Sequence, residues 1–492
     1  MTDAPKYTPE VRMLIDGQLV EADSGKTFDN VNPANEEILG PVADASGVEM
    51  RRAIAAARRA FDETDWATNR ALRKRCLEQL QAAIESEVDQ LREELIDEVG
   101  CPRMLTYSAQ LDTPLGDALR YPAKLIDEFA WERDLAPSNL FGATHRRAVW
   151  KEPVGVVGSI VPWNFPFEVT INKVGQVLAT GNTTIVKPAP DTPWNATRLG
   201  RLVAERTDIP AGVFNVVTSS DHLVGEELTL SPLVDLISFT GSTVTGKRIM
   251  EKGAATLKRV FLELGGKSAM IVLDDADFSA VVPGAAGVCG HAGQGCAVQS
   301  RLLLPRARYE EGVELITAAM GMVPYGDPQR DDVIMGPLVS ARQRDRVLGY
   351  IETGVDEGAR LVVGGHRPAA LPRGWYVEPT LFVDVDNTMT IAREEIFGPV
   401  LVVIAYDDDD DAVRVANDSG YGLSGGVYSS SVERATAVAR RIRTGSFSVN
   451  GGVWYGADSP YGGYKASGLG RQNGLEGFEQ YLETKTIAWP AA

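Results

Sequence analysis

The sequence predicts an α/β protein with two doubly wound parallel-sheet domains and a small additional β element. Two observations support this prediction. Strand-like and helix-like segments alternate along two separate stretches of the chain, and the last residues form an extended, β-like tail. The 492 residues, of which 44% are hydrophobic and 24% charged, suffice for two or three domains with cores of their own.

The first alternating stretch follows a helical region. Short apolar runs before residue 46 predict edge strands, and apolar residues three and four positions apart predict helices over 47–126. Four strand-like runs then alternate with helical stretches between Val154 and Phe239. This alternation is typical of a parallel, doubly wound sheet.

The second alternating stretch starts near Ser268 and continues to Ile404, so we predict a second α/β domain there. Its apolar runs are Ser268–Leu273, Val281–Val288, Leu302–Leu304, Leu361–Val363 and Val400–Ile404. The tail from Tyr481 to Pro490 is β-like, and an extended tail on a large domain often pairs with the sheet edge of a partner.

Composition and charge argue against several classes of function. The net charge is −18, and such an acidic surface repels phosphate backbones and anionic lipids, so we expect neither nucleic acid nor membrane as a partner. The chain has four cysteines and no CxxC pair, which favours a reducing compartment and argues against disulfides or a zinc site. Residues 1–10 are polar and lack an apolar secretion signal, so we expect a cytoplasmic protein.

One acidic run could be taken for a metal site. Asp407–Asp411 directly precedes the apolar residues of a predicted helix, where carboxylates favour the positive end of the helix dipole. A solvated helix start is therefore the preferred interpretation. His145, His222 and His366 do not form a ligand set, and we predict no metal.

A cysteine in a glycine-rich loop is the first candidate for chemistry. Cys296 follows Gly293 and Gly295, and glycine allows the backbone to approach a ligand closely. A substrate carbonyl can reach a thiol placed there, and the Cys296 N–H can point at the oxygen under attack. A small buried hydrophobe is an equally good interpretation of this cysteine taken alone.

Three further segments lie where a predicted strand ends, which is where open parallel sheets bind ligands. Two prolines hold Asn164 within Pro162–Pro166, so its amide can form half of an oxyanion hole. The turn Phe239–Gly246 leads into a helix and can hold a pyrophosphate. Glu263 could act as a base towards Cys296 through one water. Taken singly, each segment is as well explained by an ordinary turn or loop.

Together these segments resemble the aldehyde dehydrogenase superfamily over essentially the whole chain. Seven stretches match in the order of the family: PWNFP at 162–166, KPxx at 187–190, FTGSTxxG at 239–246, ELGGKS at 263–268, GQGC at 293–296, EEIFGPV at 394–400 and SPYGGYKASGLGR at 459–471. The resemblance implies a Rossmann-like dinucleotide-binding domain of residues 1–130 and 153–262 and a catalytic domain of residues 263–465. It also implies a β oligomerisation element of residues 131–152 and 466–492, in a homodimer or homotetramer.

The resemblance implies a role for each matched residue. Cys296 matches the catalytic nucleophile and Glu263 the general base. Asn164 and the Cys296 N–H match the oxyanion donors, and Lys173 matches a lysine near the catalytic glutamate. The positions that match cofactor-binding residues are Pro162, Trp163, Lys187, Pro190, Gly241, Ser242, Gly246, Leu264, Gly265, Glu395 and Phe397.

The implied reaction turns an aldehyde into a carboxylic acid. The Cys296 thiolate adds to the aldehyde, the nicotinamide cofactor takes the hydride, and Glu263 activates the water that hydrolyses the remaining thioester. Members that pass the acyl group to coenzyme A lack this glutamate, so its presence implies hydrolysis. Whether Glu263 also activates the thiol stays open.

Two departures from the family pattern bear on the cofactor and on proton transfer. Pro190 stands where many NAD-preferring members carry a glutamate, so NAD is the first choice and NADP is the alternative. Gln472 replaces a frequent glutamate, which puts a proton-relay role at that position in doubt. His291 could suggest a Cys–His pair, but Glu263 already supplies a base, so a structural role is preferred.

The matched substrate positions are aromatic and apolar: Phe165, Val169, Trp454, Tyr455 and Tyr461. No matched arginine is present for a substrate carboxylate, which favours a neutral aldehyde, either aromatic or medium-chain aliphatic. Two other classes of function stay open at this stage. One is a thiol-dependent acyl hydrolase without a cofactor, and the other is a binding protein that kept the fold without activity.

Overall fold

The structure is a computed structural model that describes residues 7–491. Residues 1–6 and 492, at the ends of the predicted first domain and of the predicted oligomerisation element, lie outside the described residues, as does most of the segment 1–10. The elements up to residue 153 are β1 (Met13–Ile15), β2 (Gln18–Val20), β3 (Thr27–Val31), β4 (Ile38–Ala43), α1 (Gly47–Glu63), α2 (Arg70–Glu85), α3 (Val88–Val99), α4 (Arg103–Thr106), α5 (Asp112–Asp117), α6 (Arg120–Glu128), β5 (Glu132–Leu140) and β6 (Ala143–Pro153).

Strands and helices then alternate as predicted from residue 154. The elements are β7 (Val156–Ile160), α7 (Pro166–Ala179), β8 (Thr183–Lys187), α8 (Trp194–Arg206), β9 (Phe214–Val216), α9 (His222–Leu230), β10 (Leu236–Thr240), α10 (Thr243–Gly253) and β11 (Arg259–Glu263). Short 3₁₀ helices cover Ala254–Thr256 and Arg306–Arg308, and 3₁₀ turns interrupted by a kink at Gly290–Ala292 cover Val282–Gly293.

The last part of the chain contains the second alternating set and the tail. Its elements are β12 (Ser268–Val272), α11 (Phe278–Val281), β13 (Gln299–Pro305), α12 (Tyr309–Gly321), α13 (Ala341–Asp356), β14 (Arg360–Val363), β15 (Thr380–Val383), α14 (Thr390–Arg393), β16 (Val400–Tyr406), α15 (Asp409–Asn417), β17 (Tyr421–Gly422), β18 (Gly425–Tyr428), α16 (Val432–Ala439), β19 (Ser448–Val449), β20 (Tyr464–Lys465), β21 (Gly468–Leu469), α17 (Gly474–Glu479) and β22 (Leu482–Pro490).

The first sheet has eight strands in the order β2-β1-β9-β8-β7-β10-β11-β21. Its central strands from β9 to β11 are parallel, whereas β1, β2 and β21 pair antiparallel with their neighbours. The predicted parallel sheet is confirmed at the centre. The predicted edge strands before residue 46 are β1 and β2, which lie at one edge of this sheet. The pairing at the two edges is antiparallel because β1 and β2 form a short hairpin and β21 returns from the far end of the chain.

The second sheet has seven strands in the order β14-β15-β16-β13-β12-β18-β19. All neighbours are parallel except β14 and β15. Strand β8 of the first sheet and β12 of the second are buried at every residue, as expected for parallel strands covered by helices on both faces. The predicted α/β class with two mainly parallel sheets is therefore confirmed.

A third sheet of three strands, in the order β22-β6-β5, stands apart from both. The tail strand β22 pairs antiparallel with β6 of its own chain, from Leu482 opposite Pro153 to Pro490 opposite His145. The tail therefore finds its partner strand within the chain. Contact of this sheet with another subunit stays a prediction, and so do the bounds of the three predicted domains.

The topology brings several loops to one edge of the first sheet. Because β7, β10 and β11 are parallel neighbours, the loops after Ile160, Thr240 and Glu263 leave the sheet on the same side. The segment Leu264–Lys267 then crosses directly into the second sheet. In residues 7–491 no helix is long and apolar enough to cross a lipid bilayer.

Candidate active site

Cys296 lies in a loop whose backbone is fixed by unusual conformations. His291, Ala292 and Gly293 adopt positive φ angles of 51°, 53° and 72°. A Cβ on Gly293 would come within 2.0 Å of the Gly398 carbonyl oxygen, so this position accepts only glycine. The half-buried Cys296 follows this turn just before β13.

The Cys296 thiol contacts a tyrosine hydroxyl and lies among carboxylates. Its Sγ is 3.0 Å from the Tyr461 hydroxyl. Burial raises the pKa of Cys296 to about 12, the hydrogen bond from Tyr461 opposes this, and the charges of Glu395, Glu263 and Glu168 raise the pKa further. The thiol is therefore protonated at rest, and it needs a base to become a nucleophile.

Glu263 ends β11 as a buried carboxylate with no hydrogen-bond partner on either oxygen within the described residues. Burial raises the pKa of Glu263 well above its usual range, opposed by Lys173 and Arg471. A buried acid without a partner is costly to fold, and such groups concentrate at functional sites. The charge of Glu263 acts on the pKa of Cys296, and the role of Glu263 as a base stays a prediction.

Asn164 is held against the loop that carries the thiol. Its side-chain Nδ2 donates to the Gln294 backbone carbonyl at 2.8 Å. Its backbone carbonyl accepts a hydrogen bond from Gln110 Nε2 at 2.8 Å. His291 Nε2 lies 2.9 Å from the same carbonyl oxygen. A carboxamide has two N–H donors, so one remains for a substrate oxygen. Burial lowers the pKa of His291 to about 4, and this neutral imidazole positions Asn164, in line with the structural role preferred from the sequence.

Lys173 is a fully buried residue of α7, and it lies close enough to Glu263 and Glu168 for their charges to act on its pKa. Its Nζ donates to Ser238 Oγ at 2.9 Å and lies 4.6 Å from the centre of the Phe261 ring. Ser238 Oγ in turn lies 2.9 Å from the Tyr481 hydroxyl. Burial lowers the pKa of Lys173 to about 7, opposed by Glu263 and Glu168. Lys173 can therefore exchange a proton near neutral pH.

Gln472 contacts α7, the helix that carries Lys173. Its Nε2 donates to the Asn172 carbonyl at 3.1 Å and to Gln176 Oε1 at 2.8 Å. An amide in this place cannot carry a proton as a carboxylic acid does. The doubt about a relay at this position is therefore justified by chemistry, and Gln472 ties its loop to α7 instead.

The structure joins Trp454, Tyr455 and Tyr461 of the predicted pocket in one aromatic cluster, whereas Phe165 packs on His291. Trp454 stacks on Tyr461 with 5.5 Å between ring centres and 6° between planes, and meets Tyr455 edge-on at 6.3 Å. The Phe165 ring lies edge-on to His291 at 5.4 Å. The Val169 N–H donates to the Phe165 carbonyl at 3.0 Å in the first turn of α7. The contact of Tyr461 with the thiol places this aromatic cluster beside the candidate nucleophile.

Sequence analysis missed Glu168, which lies in the first turn of α7. The Tyr455 hydroxyl donates a hydrogen bond to Glu168 Oε1, and Asn172 Nδ2 donates to the same oxygen at 2.6 Å. Burial raises the pKa of Glu168 to about 7. A signal was present: Glu168 and Asn172 stand four residues apart in a predominantly buried helix, a spacing that puts both on one face.

The start of α10 has the geometry of an anion site. Ser242 caps the helix, and its Oγ accepts the Thr245 N–H at 3.2 Å. Gly241 and the exposed Ser242 leave the first turn open. A Cβ on Gly246 would come within 2.7 Å of the Leu264 side chain, so glycine lets the helix pack closely on Leu264. Free N–H groups at a helix start favour a phosphate group.

Lys187 ends β8 in a buried site lined by carbonyl oxygens. Its Nζ donates to the carbonyls of Pro188 and Ser219 at 3.0 Å and 3.2 Å. Burial lowers the pKa of Lys187 to about 8, opposed first by the charge of Asp191. Sequence analysis considered the half-buried Pro190 alone and overlooked the carboxylate beside it.

Glu395 packs against Gly265 and Gly266, in the segment that joins the two sheets. Its Oε1 accepts the Gly266 N–H at 2.8 Å, and a Cβ on Gly265 would come within 2.3 Å of its Oε2. Burial raises the pKa of Glu395 to about 7. Lys267, also missed, is buried nearby, and burial lowers its pKa to about 7.

Phe397 and Trp163 form an aromatic wall of the same region. Phe397 has a positive φ of 60°, which is uncommon for a residue with a side chain. Its ring meets Trp163 edge-on with 5.3 Å between centres. Pro162, half-buried, begins the turn that carries Trp163. The predicted cofactor positions thus line several loops at one edge of the first sheet and at the crossing to the second.

The acidic run begins a helix, as predicted. Asp408 caps α15 by accepting the Asp411 N–H at 2.9 Å. Asp407 and Asp409 pair with arginines, Arg306 and Arg434 respectively. In the described part of the chain, no group of three or more histidine, cysteine, aspartate or glutamate residues is arranged to hold a metal ion.

Comparison with known proteins agrees with this geometry. The model of the aldehyde dehydrogenase family matches residues 19–487. A 3-succinoylsemialdehyde-pyridine dehydrogenase from a Pseudomonas species is 41% identical over 477 residues, which cover 96% of this chain and 97% of that protein.

Solved structures agree as well. The crystal structure of a Mycobacterium tuberculosis aldehyde dehydrogenase complexed with NAD+ has a TM-score of 0.93 and 39% identity, over 98% of both chains. A mutant of aldehyde dehydrogenase C from Pseudomonas syringae, complexed with NAD+ and octanal, has a TM-score of 0.92 and 36% identity, again over 98% of both chains. The chain therefore belongs to the aldehyde dehydrogenase family.

Proposed function

We propose that this protein oxidises a neutral aldehyde to the carboxylic acid with NAD+ as cofactor. The observation that carries the proposal is that the Glu263 carboxylate, which has no hydrogen-bond partner within the described residues, lies close enough to the Cys296 thiol for its charge to act on the thiol pKa. The NAD+ complexes of similar enzymes from Mycobacterium tuberculosis and Pseudomonas syringae support the choice of cofactor.

Cys296 is the nucleophile in this proposal. Its thiolate attacks the aldehyde carbon, the carbon–sulfur bond forms, and the carbonyl electron pair moves onto oxygen. The resulting oxyanion accepts hydrogen bonds from the Cys296 N–H and from the free N–H of the Asn164 amide. Asn164 is already fixed by Gln294, so little reorganisation is needed when charge develops on the oxygen.

Glu263 is the general base. Its raised pKa makes it a stronger base than an exposed glutamate, and its oxygens have no competing donors. It takes a proton from the water that attacks the thioester, and the cysteine sulfur leaves as the acid is released. Lys173, with a pKa of about 7, lies close enough for its positive charge to favour the ionised carboxylate of Glu263.

The residues present fit a dinucleotide. The open start of α10 with Gly241, Ser242 and Gly246 suits the pyrophosphate, and Lys187 and Glu395 suit the two riboses. Pro162, Trp163, Pro190, Leu264, Gly265 and Phe397 complete the proposed cradle. The bound nicotinamide supplies the hydride acceptor.

We propose a neutral aromatic or medium-chain aliphatic aldehyde as substrate. Trp454, Tyr455 and Tyr461 offer an aromatic surface next to the thiol, and Phe165 and Val169 stand at the start of α7. The octanal complex of the Pseudomonas syringae enzyme supports a medium-chain aliphatic aldehyde.

We further propose a cytoplasmic homodimer or homotetramer assembled through the third sheet. Most residues of β5 are exposed, and Phe141 at the tip of the β5–β6 hairpin is fully exposed. An exposed aromatic tip and open sheet edges favour burial against another subunit. The domain bounds 1–130 with 153–262, 263–465, and 131–152 with 466–492 are part of this proposal.

The test is reduction of NAD+ followed by absorbance, with a panel of aromatic, aliphatic and carboxylated aldehydes. We expect turnover with octanal- and benzaldehyde-like substrates and little with carboxylated ones. Cys296→Ala should abolish turnover while NAD+ binding, followed by fluorescence, stays nearly intact. A protein that hydrolyses an activated ester but never reduces NAD+ or NADP+ would refute the proposal.

A further inference from the structure

We propose that Tyr461 is an additional catalytic residue whose hydroxyl donates a hydrogen bond to the Cys296 thiolate. This inference rests on the proposed role of Cys296 as nucleophile. The two side-chain atoms lie 3.0 Å apart. Once the thiol has lost its proton, the tyrosine hydroxyl is the only one of the two groups that can donate.

The hydroxyl is held in place by its surroundings. The Tyr461 N–H donates to the Gln472 carbonyl and the Gln472 N–H donates to the Tyr461 carbonyl, each at 2.7 Å. The Gln472 side chain is bonded to α7, and the Trp454 ring stacks on the Tyr461 ring. Because the side chain is already ordered, the hydrogen bond to sulfur costs little additional entropy.

The charges around the sulfur make this donor important. The carboxylates of Glu263, Glu395 and Glu168 face the thiol and raise its pKa, as burial does. Tyr455 also faces it, but its hydroxyl donates to Glu168. The hydrogen bond from Tyr461 acts in the opposite direction, because a donor to the charged form favours that form.

The proposed step leaves the tyrosine proton where it is. The thiol loses its proton to the surrounding water, the Tyr461 hydroxyl stabilises the resulting thiolate, and the sulfur electron pair then forms the bond to the aldehyde carbon. A lower thiol pKa makes each thiolate a weaker nucleophile, but only with a Brønsted coefficient of about 0.4–0.5. The larger thiolate population therefore outweighs the loss.

The test is Tyr461→Phe, with the rate of Cys296 alkylation by iodoacetamide measured from about pH 6 to pH 10 without substrate. Loss of this hydrogen bond should raise the pKa of the thiol by about one unit, so we expect a lower rate over the whole of this range. Near neutral pH the rate should fall roughly threefold, because about a tenth of the thiolate remains and each thiolate is about three times as reactive. Tyr464→Phe is the matched control, since Tyr464 is exposed and lies under Arg471; its rate should be unchanged.

Alkylation of Tyr461→Phe at the native rate over the whole range would overturn the inference, and so would slower aldehyde oxidation without a change in alkylation. Unchanged NAD+ binding and an unchanged melting temperature would show that the variant is folded. Failure of the native protein to oxidise aldehydes would refute the proposed function alone. A slower alkylation of Tyr461→Phe would still support the hydrogen bond in that case.

Discussion

Replacing Glu263 with glutamine is the sharpest perturbation of the proposed mechanism. The two side chains have the same shape, and neither oxygen of Glu263 accepts a hydrogen bond within the described residues. The substitution therefore breaks no existing hydrogen bond, and its effect on rate reports the chemistry and charge of the carboxylate. Loss of a general base costs about 10²–10⁴-fold in rate, which corresponds to about 3–5 kcal/mol in the activation free energy.

The assay is rapid mixing of Glu263→Gln with saturating NAD+ and aldehyde, followed by absorbance of the reduced cofactor. If Glu263 acts only on the hydrolytic water, the variant should still form the thioester and give a burst of about one reduced cofactor per active site, then turn over slowly. A variant that shows neither burst nor turnover would refute this assignment and indicate that Glu263 activates the thiol. Cys296→Ala is the control, because it should show no burst under either assumption.

The same substitution should change stability with a definite sign. Glu263 has a raised pKa in the folded state, so between the ordinary glutamate pKa and the raised one the folded state holds more protons than the unfolded state. Stability is therefore lost as pH rises through that window, by at most about 1.4 kcal/mol per pH unit. Urea unfolding should show that Glu263→Gln is more stable than the native protein at pH 8 and similar at pH 4. An equal or lower stability at pH 8 would contradict the buried, unpartnered state of this carboxylate.

Three further predictions test the cofactor, the assembly and the pocket. We expect the native enzyme to prefer NAD+ over NADP+ by about five- to thirty-fold in kcat/KM, or about 1–2 kcal/mol. Pro190→Glu should increase this preference, mainly by weakening the binding of NADP+. A native enzyme that rejects NADP+ completely would indicate that Asp191 sets the choice instead. Deleting residues 483–492 keeps the buried Tyr481 and Leu482 and should lower the mass measured by light scattering; an unchanged mass would place the subunit contact elsewhere. Glu168 has a pKa of about 7, so above pH 7 its negative charge disfavours the Cys296 thiolate. Glu168→Gln removes this charge and should therefore raise kcat/KM above pH 7 relative to the native enzyme. Parallel pH profiles of the two proteins would contradict this.

Steric constraints explain why some positions of the predicted site can be recognised in the sequence. Gly293 faces the Gly398 carbonyl and Gly265 faces the Glu395 carboxylate, so each motif keeps its glycine at a place where a Cβ cannot fit. The alternation of apolar runs predicted the parallel centres of both sheets for a similarly local reason, since strands buried on both faces must be apolar throughout.

The rest depended on contacts between distant segments. Glu168 and Tyr455 meet across 287 positions of the sequence, and no local pattern indicates that pairing. The antiparallel edges of the first sheet, formed by β1, β2 and β21, are likewise decided by where the chain ends return. Asp191 was overlooked because the family pattern directed attention to Pro190, although electrostatics at Lys187 depends on every charge nearby.

The return of the C-terminal part to the first sheet has a consequence for folding. Strand β21 pairs with β11 at Glu263, Ser467 Oγ donates to the Gly265 carbonyl at 2.6 Å, and Tyr461 reaches the thiol from the same segment. Contacts this far apart in sequence form late, because a long loop must close first. We therefore expect the segment 461–469 to dock late, so that a partly folded chain gains the neighbours of Cys296, and with them its activity, only in the last steps of folding.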